Sequence, residues 1–239
     1  MPGIEATPVL AAAGVWAGYG GTPILQGVDL AIGRGEIVGL IGRNGVGKTT
    51  AMRCLIGLLR SSAGTIRLMG EDVTGRAADA RARAGIGYVP QGRDVFPRMT
   101  VEENLVMGEL IGGPRGRKLV DLVYQRFPIL VQRRRQMAGT LSGGEQQQLA
   151  IGRALIGNPS IMLLDEPSEG IQPSIVQMIC EALRAVRDEL GTTFLFVEQN
   201  LDTILDMGER CYVMDKGRIV TEIPRGGVTE EAVRAQLLL

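Results

Sequence analysis

The sequence predicts an α/β protein with a mainly parallel sheet, and three observations indicate this. A short apolar run, Ile37–Ile41, leads directly into the glycine-rich segment Gly42–Thr49, and a helical pattern follows. Further runs with the composition of buried strands occur at residues 160–166 and 192–198. A stretch with helical spacing lies between them, at about 174–190. This repeated order of strand, loop and helix is typical of parallel sheets covered by helices.

The remaining elements are predicted from composition and spacing, with Gly and Pro as punctuation. The short strands predicted before residue 90 are Val9–Leu10, Val15–Trp16, Val28–Leu30, Glu36–Ile41, Gly64–Met69 and Ile86–Val89. After the glycine-rich segment, helical spacing places four apolar residues on one face, namely Met52, Leu55, Ile56 and Leu59. Asp215-Lys216-Gly217 is predicted to join two short strands in a hairpin.

Residues from about 96 to 158 are helical in pattern, with a break at Gly112-Gly113-Pro114. We expect this region to be a helical subdomain inserted into the α/β core. The 239 residues are near the upper size for a domain with a single core. We therefore expect one domain spanning residues 1–239.

Composition excludes several classes of function. Lys plus Arg and Asp plus Glu both number 26, so a dominant surface for nucleic acid is not indicated. The three cysteines lie far apart, which suggests neither a disulfide framework nor a zinc site. No histidine occurs, so histidine acid–base chemistry is excluded. No apolar run approaches the roughly 18 residues that span a bilayer. Ala11–Ala13 resembles a signal-peptide cleavage site, but Glu5 precedes it and we expect no signal peptide.

The segment from Gly42 to Thr49, GRNGVGKT, matches the phosphate-binding pattern G-x-x-x-x-G-K-[ST]. Its glycines allow backbone N–H groups to face a polyphosphate, Lys48 adds a positive charge, and Thr49 offers a hydroxyl to Mg²⁺. The predicted nucleotide-binding residues here are Gly42, Asn44, Gly45, Gly47, Lys48, Thr49 and Thr50. The alternative is a glycine-rich turn with a chance lysine. The strand before it and the helix after it favour the phosphate loop.

Asp165 and Glu166 end the apolar run Ile161–Leu164. Adjacent carboxylates at the end of a buried strand repel each other unless a cation or a raised pKa resolves the conflict. The alternative is a solvated strand end before Pro167.

Leu141-Ser142-Gly143-Gly144-Glu145 opens a predicted helix, Glu145–Gly157, about 20 residues before the carboxylate strand. A serine hydroxyl and free N–H groups at a helix start can bind a γ-phosphate. Alternatively, Ser142 is only an N-cap, which is worth about 1 kcal/mol.

With these three motifs, the chain resembles the nucleotide-binding subunits of ABC transporters over nearly its whole length. The resemblance implies a P-loop NTPase core with a mainly parallel sheet, an N-terminal antiparallel β subdomain and an inserted helical subdomain. It also implies ATP and Mg²⁺ as ligands. Asp165 would hold Mg²⁺ and Glu166 would be the general base. Ser142, Gly143 and Gly144 would reach the nucleotide of the other subunit.

Two further residues match motifs of this family. Gln91, in Tyr88–Arg93, matches the glutamine loop, which would contact Mg²⁺ or the attacking water and link the core to the helical subdomain. Tyr19 matches the aromatic residue that stacks on adenine, although a core or surface tyrosine is the alternative. The run Arg133–Arg135 is more typical of a solvated helix face than of a binding patch.

Two positions depart from the family pattern. Gln199 stands where the family usually has a histidine that touches the γ-phosphate, and Gln172 stands where an aspartate usually bridges the two sites. A glutamine can donate or accept a hydrogen bond but carries no charge. Either change would slow hydrolysis or make hydrolysis depend on Glu166.

Several stretches resemble the branched-chain amino-acid importer branch, and most closely its urea-type second ATPase. Residues 197–200 resemble the second ATPase of branched-chain amino-acid importers, and residues 42–50, 84–93, 146–148 and 169–175 resemble its urea-type offshoot. This implies uptake of urea or short-chain amides, with a branched-chain amino acid as the alternative. It also implies a paralogous ATPase subunit or a homodimer, two transmembrane permease subunits, a separate substrate-binding protein, and a peripheral position on the cytoplasmic face of the inner membrane.

Two other classes of function remain for comparison. A non-transport ABC protein acting on nucleic acid or ribosomes usually has tandem ATPase domains or long insertions, and the zero net charge argues against it. A regulatory subunit that binds ATP with weak hydrolysis is favoured by Gln199 and Gln172, and Glu166 argues against it.

Overall fold

The computed structural model describes residues 7–237, which form two β-sheets and the helices around them. The strands are β1 (Leu10–Tyr19), β2 (Thr22–Ile32), β3 (Ile37–Ile41), β4 (Ala63–Leu68), β5 (Glu71–Asp72), β6 (Ile86–Val89), β7 (Ile161–Asp165), β8 (Thr193–Glu198), β9 (Arg210–Asp215) and β10 (Arg218–Ile223). The helices are α1 (Lys48–Ile56), α2 (Ala78–Ala84), α3 (Val101–Arg117), α4 (Val120–Arg126), α5 (Pro128–Gln132), α6 (Gly143–Ile156), α7 (Pro173–Leu190), α8 (Leu201–Met207) and α9 (Glu230–Leu237).

The first sheet has the antiparallel order β2-β1-β4-β5. The prediction of several short strands in this region was wrong, because β1 and β2 are ten and eleven residues long. Gly14 and Gly27 lie inside these strands with φ values of 57° and 73°, and the β1–β2 register shifts between Ala12 and Val15. The glycines therefore accommodate bulges rather than ending strands. Ala11–Ala13 belongs to β1, and Glu5 lies outside the described residues.

The second sheet has the order β10-β9-β3-β8-β7-β6 and is mainly parallel, as predicted. Only β10 is antiparallel to its neighbour within residues 7–237, through the predicted hairpin at Asp215–Arg218. The carboxyl ends of β3, β8 and β7 lie side by side, because Ile41 pairs with Glu198 and Asp165 pairs with Val197. The segments that follow these three strands therefore meet at one edge of the sheet.

The core lies on both faces of this second sheet. Along β7, Ile161 and Leu163 pack into the cluster beneath the antiparallel sheet, whereas Met162 and Leu164 pack into the cluster beneath α6 and α7. This alternation is expected for a central strand that is covered on both faces. It explains why β7 is a continuous apolar run.

Helix α1 is shorter than the predicted apolar face. It ends at Ile56 because Gly57 adopts a left-handed conformation with φ 89° and caps the helix with its N–H. Leu59 lies beyond this end, and it packs against the core from the following loop. The prediction that Leu59 lies on the helix was therefore wrong, although its side chain does pack against the same apolar core as the helix.

A helical insert occupies the region predicted to be helical, from α3 to α6. The predicted break is a kink, since α3 runs through Gly112-Gly113-Pro114 with non-helical torsions at Gly113. A Cβ added at Gly112 would lie 2.1 Å from the Ile156 carbonyl oxygen, so α3 and α6 approach closely there. We propose that this insert spans about residues 96–158 within a single domain. The sequence did not predict β5, α2, α8 or α9.

Candidate functional site

The glycine-rich segment connects β3 to α1 at the shared sheet edge. Gly47 precedes the first residue of α1 with φ 113°, a conformation that residues with a Cβ rarely adopt. A cleft of about 210 Å³ lies over this segment. Its lining residues are Tyr19, Ile24, Asn44, Gly45, Gly47, Lys48, Thr49, Thr50 and Glu166. The fold therefore gathers most of the predicted nucleotide-binding residues in one concave site.

Lys48 is buried in the loop, where its Nζ donates hydrogen bonds to the carbonyl oxygens of Gly42 at 2.7 Å and Arg43 at 2.8 Å. Burial lowers the pKa of the ammonium group, while the nearby carboxylates of Glu166 and Asp165 oppose this shift. A polyphosphate in the cleft would supply a stronger, anionic acceptor than the two carbonyls.

Thr49 and Asp165 meet although 116 residues separate them, with the Thr49 hydroxyl donating to Asp165 Oδ1 at 3.1 Å. Tyr88 donates to Asp165 Oδ2 at 3.4 Å. Burial raises the pKa of the Asp165 carboxyl, and these two hydrogen bonds partly offset the shift. Within residues 7–237 no three His, Cys, Asp or Glu side chains cluster to hold a metal. The pair suits Mg²⁺ nevertheless, because Mg²⁺ takes few protein oxygens and completes its shell with water and phosphate.

Glu166 shares a hydrogen-bond donor with a second carboxylate, Glu169. The Gln91 side-chain amide donates to Glu166 Oε2 at 3.1 Å and to Glu169 Oε2 at 3.0 Å. Burial raises the pKa of Glu166, and the charge of Glu169 adds to this shift. A raised pKa brings a carboxylate closer to the range in which it accepts a proton efficiently at neutral pH. Glu166 itself has φ 49°, an uncommon value for a residue with a side chain.

Tyr19 lies at the rim of the cleft and is 47% exposed, as a residue that stacks on a ligand requires. The hydrogen bond from Arg53 to Tyr19 raises the pKa of Arg53, and Tyr88 contributes in the same direction. Arg53 lines a neighbouring pocket together with Tyr19 and Tyr88.

Ser142 caps α6 through a capping box: the Glu145 N–H donates to Ser142 Oγ at 3.4 Å, and the Ser142 N–H donates to Glu145 Oε2 at 2.8 Å. Ser142 is therefore the N-cap residue of α6. Ser142, Gly143 and Gly144 do not line the cleft over Lys48 in the part of the chain described. Arg93 connects the start of α6 to the segment after β7, because a Cβ added at Gly143 would be 3.0 Å from its guanidinium, which also donates to the Glu169 carbonyl oxygen at 2.8 Å.

The two departures from the family pattern lie on exposed segments. Gln199 is exposed directly after β8, and Gln172 is the exposed N-cap residue of α7. The backbone N–H of Gln199 donates to the Glu198 carboxylate at 3.1 Å. The sequence did not single out Glu198, Glu169, Arg93 or Arg53. The sequence does contain a sign of Glu198, since this charged residue directly follows the apolar run Phe194–Val197.

The sequence profile of the ABC transporter family matches residues 25–169. A high-affinity branched-chain amino acid transport ATP-binding protein, BraG of Pseudomonas aeruginosa, is 46% identical over 203 residues, which cover 84% of this chain and 87% of the relative. Two solved structures are also similar. A nucleotide-free ATP-binding cassette from an ABC transporter has a TM-score of 0.84 and 26% identity, over 96% of this chain and 95% of the other. The dimeric post-hydrolysis state of a cassette bound to ADP and Pi has a TM-score of 0.78 and 25% identity, over 89% and 97%.

No helix between residues 7 and 237 is long and apolar enough to cross a membrane.

Proposed function

Because this chain belongs to the ABC transporter family, whose ATP-binding cassettes are ATPases that drive transport, we propose that it powers the import of branched-chain amino acids. The observation that supports hydrolysis most directly is the contact between Thr49 of the glycine loop and Asp165 at the end of β7. This contact brings the phosphate-binding groups and the adjacent Glu166 into one site.

In the proposed mechanism, the loop N–H groups and Lys48 bind the β- and γ-phosphates of ATP. Thr49 and Asp165, with Gln91 nearby, would hold Mg²⁺, which would supply positive charge to neutralise the phosphate oxygens. Glu166 accepts a proton from a water molecule as the water oxygen attacks the γ-phosphorus, and ADP leaves with the electron pair of the broken P–O bond. Gln91 orients this water through the same amide that contacts Glu166. Gln199 donates a hydrogen bond to the γ-phosphate, and Tyr19 stacks on adenine.

We propose that two cassettes share each ATP. ABC ATPases dimerise, and one structural relative is itself a dimer with ADP and Pi. Ser142, Gly143 and Gly144 lie at the start of α6, a 14-residue helix, yet outside the cleft of their own chain. The γ-phosphate of an ATP molecule bound to the partner would accept hydrogen bonds from N–H groups at this helix start. The partner in the importer is a paralogous ATPase, or a second copy of this chain.

We propose that a permease subunit binds in the apolar groove between the α/β core and the helical insert. The groove has a volume of about 490 Å³ and includes Leu58, Phe96 and Leu110, of which Leu110 is 72% exposed. Tyr88 lines this groove and also donates to Asp165. An apolar permease segment in the groove would therefore contact the wall of the ATP site. Two permeases and a separate substrate-binding protein complete the importer, with this chain peripheral on the cytoplasmic face.

The substrate proposal follows the similarity to BraG, which favours the alternative raised from sequence over urea or short-chain amides. The ATPase does not contact the transported solute in such an assembly, so no side chain of this chain selects the substrate. Uptake of radiolabelled leucine and of urea by cells with and without the intact gene separates the two. Loss of leucine uptake alone supports the proposal, and loss of urea uptake alone contradicts it.

The regulatory alternative, a subunit that binds ATP with weak hydrolysis, is favoured by Gln199 and Gln172. Phosphate release by the assembled importer distinguishes it. We expect Glu166→Gln in this chain to lower turnover by about 100-fold or more. Unchanged turnover would mean that the partner ATPase performs the hydrolysis.

A further inference from the structure

Glu198 is a buried carboxylate that the mechanism above does not use. It ends β8 and is 2% exposed. It pairs with Ile41, the residue before the glycine loop, and the preceding residue Val197 pairs with Asp165. Glu198 therefore lies at the centre of the sheet edge that carries the ATP site.

Both oxygens of this carboxylate accept hydrogen bonds from backbone N–H groups. Oε1 accepts from Ser168 at 3.0 Å, and Oε2 accepts from Gln199 at 3.1 Å and from Asn200 at 3.2 Å. A buried carboxylate is stable when several donors compensate for its lost hydration, as here. The three donors belong to two separate segments of the chain.

One of these segments follows the proposed base. Ser168 is two residues after Glu166 and begins the loop that leads to Gln172, the N-cap residue of α7. The other segment carries Gln199, the residue proposed to contact the γ-phosphate. The Glu166 N–H also donates to the Val197 carbonyl oxygen at 3.0 Å, so the two segments are linked twice.

We infer that Glu198 is a positioning residue for ATP hydrolysis, which holds Gln199 and the loop from Ser168 to Gln172 in one arrangement relative to Glu166. This inference rests on the roles proposed above for Glu166 and Gln199. Its physical basis is that one side chain holds the backbone of both segments through hydrogen bonds. Ordering these segments beforehand removes an entropic cost from the hydrolytic step.

Two substitutions at Glu198 and one control test the role of this carboxylate. Glu198→Gln keeps the size but replaces one acceptor oxygen with an NH₂ group, which would face a backbone N–H donor. Glu198→Asp keeps the charge but shortens the side chain by one CH₂, so that it reaches only one segment. Asp202→Asn is the matched control, because it removes a nearby carboxylate that is exposed in α8.

The experiment measures kcat, ATP affinity and melting temperature for the assembled importer carrying each variant. We expect kcat to fall about tenfold or more for both Glu198→Gln and Glu198→Asp, with ATP affinity within about twofold of wild type. Asp202→Asn should leave all three quantities unchanged. A fall in affinity that matches the fall in kcat would overturn the inference. So would full activity in Glu198→Asp, because charge alone would then account for the role.

A double-mutant cycle tests whether Glu198 acts through Gln199. In a Gln199→Ala background, Glu198→Gln should lower kcat by a smaller factor than it does in the wild-type background, because one of the two positioned elements is already absent. Independent, multiplicative losses would contradict the inference. If either Glu198 variant does not fold, Ser168→Ala, which keeps the backbone donor to Glu198, should retain kcat within about twofold, and a larger loss would contradict the inference.

Failure of this inference is distinguishable from failure of the proposed function. If Glu166→Gln abolishes turnover and Glu198 variants match wild type, only the positioning role is wrong. If the wild-type assembly does not hydrolyse ATP, the proposed function itself is wrong.

Discussion

Gln91 donates its side-chain amide to Glu166 Oε2 at 3.1 Å, and this hydrogen bond joins the segment after β6 to the proposed general base at the end of β7. The same amide nitrogen also donates to Glu169 Oε2, so the two carboxylates bind to one side-chain nitrogen and lie close together. Their proximity contributes to the raised pKa of Glu166. The arrangement suits a group that takes up a proton during the reaction.

Glu166→Gln should preserve ATP binding and lower turnover by about 100-fold or more, because the amide keeps the shape of the side chain but cannot accept the proton. Phosphate release and calorimetry measure the two effects. The variant should also accumulate an ATP-bound dimer on size exclusion. Full turnover in this variant would exclude Glu166 as the base.

Lys48→Ala should weaken ATP binding by about tenfold or more, since a charge-assisted hydrogen bond contributes about 1.5–3 kcal/mol. Calorimetric titration of the isolated chain measures this. Lys118→Ala, in the exposed C-terminal cap of α3, is the matched control and should bind ATP as the wild type does. Equal affinities for Lys48→Ala and Lys118→Ala would contradict the phosphate-loop assignment.

Gln199 should act through hydrogen bonding rather than protonation. Gln199→Ala should lower turnover, and Gln199→His should retain or raise it. Because the chain contains no histidine, the wild-type pH–rate profile should lack an ionisation near about 6.5 from this position, and Gln199→His should introduce one. Wild-type turnover in Gln199→Ala would show that the side chain has no role.

Ser142→Arg should leave ATP binding by the isolated chain nearly unchanged and abolish turnover and transport in the assembly. The reason is that Ser142 lies outside the cleft over Lys48 and is proposed to meet the partner's γ-phosphate. Single-chain calorimetry and leucine uptake measure the two outcomes. A loss of single-chain affinity as large as that of Lys48→Ala would refute the contact between subunits.

The three cysteines should resist alkylation in the folded chain. All are buried, and burial raises the pKa of Cys54 to about 11 and those of Cys180 and Cys211 to about 12. A thiol whose pKa is raised stays protonated below that value, and the thiolate is the reactive form. We therefore expect negligible reaction with a thiol reagent at pH 8, and reaction of all three thiols after unfolding in denaturant. Rapid modification of the native chain would contradict this burial.

The parts of this protein that local spacing controls could be predicted from its sequence. The glycine loop, the strand ending at Asp165, the hairpin at Lys216 and the helical insert all follow from residues near each other in the chain. The sequence missed α2, α8 and α9, of which α2 and α8 have only seven residues each, so few turns exist to show a period. It also divided β1 at Gly14, because composition does not distinguish a bulge from a strand end.

By itself, the sequence determined which chemical groups are present and which motifs carry them, because a motif is a short segment whose backbone folds locally. Only the tertiary structure decided which groups meet. Thr49 reaches Asp165, Gln91 reaches Glu166, and Glu198 holds Ser168 and Gln199 because parallel strands β3, β8 and β7 end side by side. The order of strands in that sheet depends on packing of the whole chain, so the sequence showed Glu198 only as the last residue of an apolar run.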